Sequence, residues 1–448
     1  MVSIFPRFLR KQIVYIKRSL STRKRKYPIN PEDTLNLPIF EYGVSKKSYN
    51  RIFVWGNTKS GALGIPYIKS SESYDVIKDF HRPKRLGFGE KNEVKQIACG
   101  FGYTLFSINS EDSDELYGTG LNTDSQIGYH DIRKNKPLEL IFYPKHISLP
   151  WKNVSNIKIL KISAGRAHSL VLTNDGLFCL GNNAYGQCGR PCIKDEDYSI
   201  SNYIHRIEKL DGNKIVDIEC GQDHSLALTE DGSVYSCGWG ADGQTGLGSF
   251  ENCHSFSKVG GDISTEKIVK LNSRCDFVMA LNDNGEVFGW GNTEYAQITL
   301  SDGKQQICSP TYMKMLNKLG KIIDIGAGGS FCLVLNENRE VFSWGFGILG
   351  FGPNVQHSVE PMKIPEVLFG KNDFQPNNMV ERIACGVSHA FAITSLGDLY
   401  AWGRNRNGCL GLGDEHDQFF PIKVCLGGTV NNVHCGIDHT VAICKPFI

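Results

Sequence analysis

Four histidines recur in one frame: His168, His224, His389 and His439 each stand three residues after a glycine, at Gly165, Gly221, Gly386 and Gly436. Imidazoles could hold a metal or move protons. Other copies of the motif carry Tyr103, Phe277 and Phe331 at this position, and a ligand could not be exchanged so freely for an aromatic ring. The histidines therefore read as structural. Asp223, Asp276 and Asp438 recur two residues after the same anchor, with Ser330 at the matching place. On one rim they would be contacts for a partner; as turn residues they would bond nearby backbone.

Cys188 and Cys192 have the spacing of half a zinc site, and the second half is missing. The 15 cysteines are scattered along a long chain, unlike a compact disulfide framework. Cys99, Cys220, Cys385 and Cys435 each precede an anchor, where other copies have Ala164, Ser273 and Ala327. A small buried side chain and a reducing compartment fit that pattern. Two strings, Gly238-Trp-Gly240-Ala-Asp-Gly243 and Gly345-Phe-Gly347-Ile-Leu-Gly350, have the form of a dinucleotide loop. Neither opens a helix after a strand, and no Gly-x-x-x-x-Gly-Lys-Ser/Thr occurs. The expectation is no catalytic residue, no metal and no cofactor: a regulatory or binding protein, not an enzyme.

What positions these residues is a repeat. Each unit reads as an apolar strand ending in a first anchor, a second apolar strand, a Gly-containing turn, and a third strand ending in a second anchor glycine. The first anchors are Gly100, Gly165, Gly221, Arg274, Gly328, Gly386 and Gly436, spaced 50 to 65 residues apart. That period exceeds the roughly 40 to 45 residues of WD repeats. Six second anchors follow, at Gly120, Gly181, Gly238, Gly291, Gly345 and Gly403, and Trp290, Trp344 and Trp402 precede three of them. Near the start of the chain, Phe53-Val54-Trp55-Gly56 and Gly61-Ala62-Leu63-Gly64 form a second half with no first half before it. Residues 431–445 and 51–64 would then complete one blade together. The fold expected is all-β, a seven-bladed β-propeller closed by pairing of its N- and C-terminal segments, which leaves no open sheet edge within the ring.

Charge is divided along the chain. The first acidic residue is Glu32, and nine basic residues precede it. Without them 40 basic residues face 47 acidic ones, a body of about −7 and a poor general ligand for nucleic-acid phosphate; no DNA partner is expected. On a helical wheel Ile4, Phe5, Phe8, Leu9, Ile13 and Ile16 share one half, while Arg7, Arg10, Lys11, Lys17 and Arg18 share the other; Val14 is the exception. This basic, acid-free amphipathic stretch matches a mitochondrial transit peptide over 1–30, with 31–50 as a linker and 51–448 as the propeller. Arg23-Lys24-Arg25-Lys26 offers a rival nuclear import reading, which needs no amphipathic helix before it.

The strings Ala164-Gly-Arg-Ala-His-Ser-Leu-Val-Leu-Thr173, Gly221-Gln-Asp-His-Ser225 and Tyr235-Ser-Cys-Gly-Trp-Gly-Ala-Asp-Gly-Gln-Thr-Gly-Leu-Gly248 resemble the regulator of chromosome condensation family. Within it they resemble a mitochondrial branch. The resemblance spans about residues 51 to 448. It implies guanine nucleotide exchange on the inner-membrane dynamin-like fusion GTPase. It also implies mitochondrial ribosome assembly with large-subunit ribosomal RNA, in the matrix or peripherally on the matrix side of the inner membrane. By that resemblance Asp223 matches an exchange carboxylate, Ser330 stands where a histidine would be needed, and Asn182 to Gly189 matches a wedge hairpin without its extension. Exchange on the nuclear transport GTPase is therefore disfavoured, and exchange on another GTPase stays open.

Two functions follow. One is regulation of a mitochondrial GTPase through the face bearing Asp223, Asp276, Asp438 and Ser330. The alternative is a non-catalytic scaffold for ribosomal RNA and assembly proteins. It would use basic loops at His81 to Arg85, with Arg82, Lys84 and Arg85, and at Ile132 to Lys136, with Arg133 and Lys134. Against both loop assignments stands an ordinary solvated charged surface.

Overall fold

The computed structural model describes residues 50–65, 79–110, 113–152, 156–298 and 303–447. The leader and most of the linker lie outside these residues. Seven four-stranded antiparallel sheets follow one another, as the anchor count requires. Blade 1 begins with Glu93–Cys99, blade 2 with Ile159–Ala164, blade 3 with Ile215–Cys220, blade 4 with Ile268–Ser273, blade 5 with Ile322–Ala327 and blade 6 with Val380–Cys385. Blade 7 is built from both ends of the chain. Its strands Gly428–Cys435 and His439–Pro446 are continued by Arg51–Gly56 and then Phe80–Arg85. Arg51 lies opposite Cys444 and Gly56 opposite His439, in unbroken register.

His81 to Arg85 was expected to be a loop; it is the outer strand of blade 7. Its Phe-His-Arg-Pro-Lys-Arg sequence lacks apolar alternation because this strand sits at a sheet edge, where proline is tolerated. All five helical turns among the described residues are short 3₁₀ segments. Neither dinucleotide-like string meets an α-helix.

The repeat residues explain the packing. In every blade the residue three after the first anchor lies opposite the second anchor: Tyr103 faces Gly120, His168 Gly181, His224 Gly238, Phe277 Gly291, Phe331 Gly345, His389 Gly403 and His439 Gly56. At Gly238, φ is +108° and an added Cβ would lie 2.5 Å from Asp223 O. Only glycine fits such a position. The second strands, such as His168–Thr173 and His224–Thr229, are buried along their whole length.

Polar groups fasten each blade to its neighbours. Reaching forward, Tyr103 Oη donates to His168 O at 2.5 Å, and the imidazole Nε2 atoms of His168 and His439 meet Ser225 Oγ at 3.1 Å and Thr104 Oγ1 at 3.0 Å. Reaching back, Trp55, Trp290 and Trp344 donate Nε1 to Cys409 O, Gln244 O and Gln297 O at 2.7, 3.0 and 3.0 Å. These three tryptophans thus deliver both ring area and a satisfied indole N–H between blades, whereas Trp402 Nε1 is buried without a partner. His168, His224, His389 and His439 are fully enclosed, and burial lowers them to about 4, 3, 4 and 3, so each is neutral near pH 7.

Candidate functional site

Because successive strands run in opposite directions, the turn after the first strand and the connection after the third lie at the same end of each blade. The backbone confirms it. Asp223 O accepts from Trp239 N, Asp276 O from Asn292 N, Ser330 O from Phe346 N and Asp438 O from Asn57 N, at 2.7 to 2.9 Å. All four sequence-selected rim residues therefore occupy one face of the ring, beside the connections that follow the second anchors.

Two of their side chains are tied across blades, and the other two within their own blade. Arg166 of blade 2 forks onto Asp223 of blade 3, Nε to Oδ1 at 3.0 Å and Nη2 to Oδ2 at 2.8 Å. Gln244 Nε2 donates to Asp276 Oδ1 at 2.9 Å, and Asn57 Nδ2 to Asp438 Oδ2 at 2.8 Å. Asp438 Oδ1 is buried without a partner. Ser330 Oγ turns back to Phe346 O at 2.8 Å. The aspartates thus accept from side chains, of the blade 2 turn at Asp223 and of glycine-rich connections at Asp276 and Asp438, where the turn reading expected nearby backbone.

Burial raises the pKa of all three aspartates, against the opposing pull of Arg166 at Asp223 and Asn57 at Asp438. Asp276 is pushed furthest, to about 6, by burial and then by the charge of Asp242, with Asp223 adding to it. This rim therefore holds carboxylates that a partner's donors would stabilise in the charged form. Arg166 and Asp242 were missed in the sequence because the positions they hold carry different residue types from blade to blade.

The connection of blade 1 rises from this face as a small separate hairpin, Asp131–Arg133 paired with Lys136–Pro137. Asn135 takes φ +60° at its tip, and Ile132 is 66% exposed. Arg133, Lys134 and Lys136 are exposed beside it. Asn122 Nδ2 fixes its base by donating to Gly128 O and Leu138 O. The sequence marked this segment only as basic. By contrast Asn182 to Gly189, where a wedge was sought, is a tight turn packed against blade 3.

The other basic segment lies elsewhere. Arg82, Lys84 and Arg85 project from the outer edge of blade 7. Lys84 Nζ stands 4.2 Å over the Phe80 ring, and Arg85 is paired with Glu90 through Nε–Oε1 at 3.0 Å and Nη2–Oε2 at 2.5 Å. Cys188 is buried and donates to Asn182 O at 3.3 Å, whereas exposed Cys192 Sγ lies 3.3 Å from His254 Nδ1.

Comparison with known proteins agrees with this architecture. The family model described as the regulator of chromosome condensation (RCC1) repeat matches residues 49–107, 174–228, 284–335, 340–393 and 397–443. The chain is 43% identical over 424 residues to the human RCC1-like G exchanging factor-like protein, covering 92% of this chain and 90% of that one. The crystal structure of human WBSCR16 superposes with a TM-score of 0.82 at 42% identity, over 89% of this chain and 100% of that one. Yeast RCC1 (Prp20), in its complex with Kap60, has a TM-score of 0.72 at 19% identity over 89% of this chain and 90% of that one, a likeness of fold alone.

Proposed function

The chain belongs to the regulator of chromosome condensation repeat family, and from that premise we propose that it is an exchange-factor-like regulator of a mitochondrial GTPase. The observation that carries this reading is the gathering on one face of Asp223, Asp276 and Asp438 beside the projecting Asp131–Pro137 hairpin. Nucleotide exchange requires no bond to be made or broken in the protein. A factor that binds the nucleotide-free GTPase more tightly than the loaded one shifts the equilibrium and speeds release. One buried carboxylate, Asp223, and two half-buried ones, Asp276 and Asp438, fixed by Arg166, Gln244 and Asn57, suit such a role. They can exchange an internal donor for a lysine or arginine of the partner with little rearrangement.

The inner-membrane dynamin-like fusion GTPase is the partner we put first, and the amphipathic basic leader supports a matrix or matrix-side location. Release of a fluorescent GDP analogue from candidate mitochondrial GTPases, with and without the full chain, tests the activity. Fusing residues 1–30 to a reporter tests the address: mitochondrial import is expected, and nuclear accumulation would overturn it.

The exposed bases Arg82 and Lys84 on blade 7, and Arg133 and Lys134 on neighbouring blade 1, favour a second reading, a scaffold on ribosomal RNA. Crosslinking to RNA that is lost when these four are replaced by alanine would support it.

A further inference from the structure

The first strand of each blade alternates its side chains between blade interior and central channel. Positions two and four residues before the first anchor therefore form two stacked rings facing the channel. In the outer ring Lys161 pairs with Asp217, Lys270 with Asp324, and Arg382 donates to Asn431 O at 3.0 Å. In the inner ring Ser163 Oγ accepts from Cys220 N at 2.9 Å and Asn272 Oδ1 from Ala327 N at 2.7 Å. Each of these contacts reaches the next blade, so the polar wall is largely self-satisfied.

Three groups break the pattern. Glu219 holds the inner-ring position in blade 3 but forms no such latch; its nearest cation is Lys161 at 3.9 Å, already bound to Asp217. His434 holds that position in blade 7, and its buried Nε2 has no partner. Arg274 lies across the end of the channel nearest the aspartate rim and donates only to two neutral carbonyls, Cys385 O and Cys99 O. With Lys270 on Asp324 and Lys161 held chiefly by Asp217, Glu219 keeps only that shared lysine at 3.9 Å and Arg274 has no carboxylate partner, around a cavity of about 270 Å³ that Glu219, Arg274 and His434 line. Burial raises the Glu219 carboxyl against the pull of Lys161 and then Arg274, and lowers the His434 imidazole to about 3.

We propose that this chamber binds a small zwitterion of the free α-amino-acid class, with its carboxylate on Arg274 and its ammonium on Glu219. A simple anion would meet the charge of Glu219, and a simple cation that of Arg274; a molecule carrying both charges satisfies the pair. Access is from the end opposite the aspartate rim, where Lys161 and Lys270 are partly exposed.

Isothermal titration of the full chain with a panel of free α-amino acids tests this, with inorganic phosphate and methylamine as single-charge controls. Saturable binding of at least one amino acid and of neither control is expected. Glu219→Gln and Arg274→Gln should each weaken it by at least about tenfold, the scale of one charge-assisted hydrogen bond. Glu219→Gln leaves both carbonyl bonds of Arg274 in place, so the test stands even if Arg274→Gln unfolds the ring. No binding by any amino acid at millimolar concentration, binding of phosphate or methylamine alone, or binding unchanged in Glu219→Gln would overturn the proposal.

Discussion

Arg274 Nη1 reaches from blade 4 to the carbonyl of Cys99 in blade 1, 3.3 Å away, from a position that is glycine in the other six blades. Its Nε meets Cys385 O of blade 6 at 3.2 Å, so one side chain links three blades that are not sequence neighbours. Restoring the repeat with Arg274→Gly should therefore destabilise the ring, by about 2 kcal/mol for two charge-assisted bonds partly replaced by water. Urea unfolding measures this; an unchanged or raised midpoint would show that the bridge carries no net stability.

The glycine-rich connections pack beneath the tryptophan of the next blade. At Gly246, φ is +69°, and an added Cβ would lie 2.8 Å from Trp290 Nε1. Gly246→Ala combines backbone strain with a clash against a fully buried indole, and about 2 to 3 kcal/mol should be lost. Differential scanning calorimetry checks it.

The neutral buried histidines make the fold sensitive to acid. His224 has its pKa lowered to about 3 by burial, while an unfolded histidine titrates near about 6.5. Between those values the unfolded chain binds the extra proton, so stability falls as pH drops through this window. His224→Phe, the residue type that blades 4 and 5 use there, should reduce the stability difference between pH 7 and pH 5 by about 2 kcal/mol. Denaturation midpoints at the two pH values decide it. Asp276, raised to about 6, acts in the opposite sense between about 3.8 and that value, where the folded state binds the extra proton. It is common to both proteins and cancels in the comparison.

The Asp131–Pro137 hairpin is a two-stranded sheet separate from the seven blades. Replacing residues 132–136 by a short glycine linker should leave the melting temperature within about 2 °C, as expected for surface changes, while weakening any partner that uses this face. Pull-down of the GTPase that responds in the release assay separates the two effects.

The ring and its closure were legible because the anchors mark positions where geometry admits few residues. Gly238 with its positive φ, and His224 packed against Gly221, recur whatever the rest of the blade does. The outer strands were not legible. Phe80–Arg85 is half in solvent, so no apolar alternation is imposed on it. The rim aspartates could be placed but not their partners, since a repeat position such as that of Arg166, Gln244 or Asn57 does not say which side chain it will meet. The Asp131–Pro137 hairpin hangs on one turn at Asn135, and Arg274 was counted as a first anchor without its reach across the channel, which depends on the closed ring.

The account rests on the aspartate face acting on a GTPase. The most direct measurement is the rate of GDP release from a mitochondrial GTPase in the presence of the full chain, compared with Asp223→Ala, Asp276→Ala and Lys84→Ala forms of equal thermal stability. Acceleration by the unsubstituted chain, lowered at least about tenfold by either aspartate change and unaltered by Lys84→Ala, is the predicted result. No acceleration of any candidate, or acceleration indifferent to both aspartates, would contradict it.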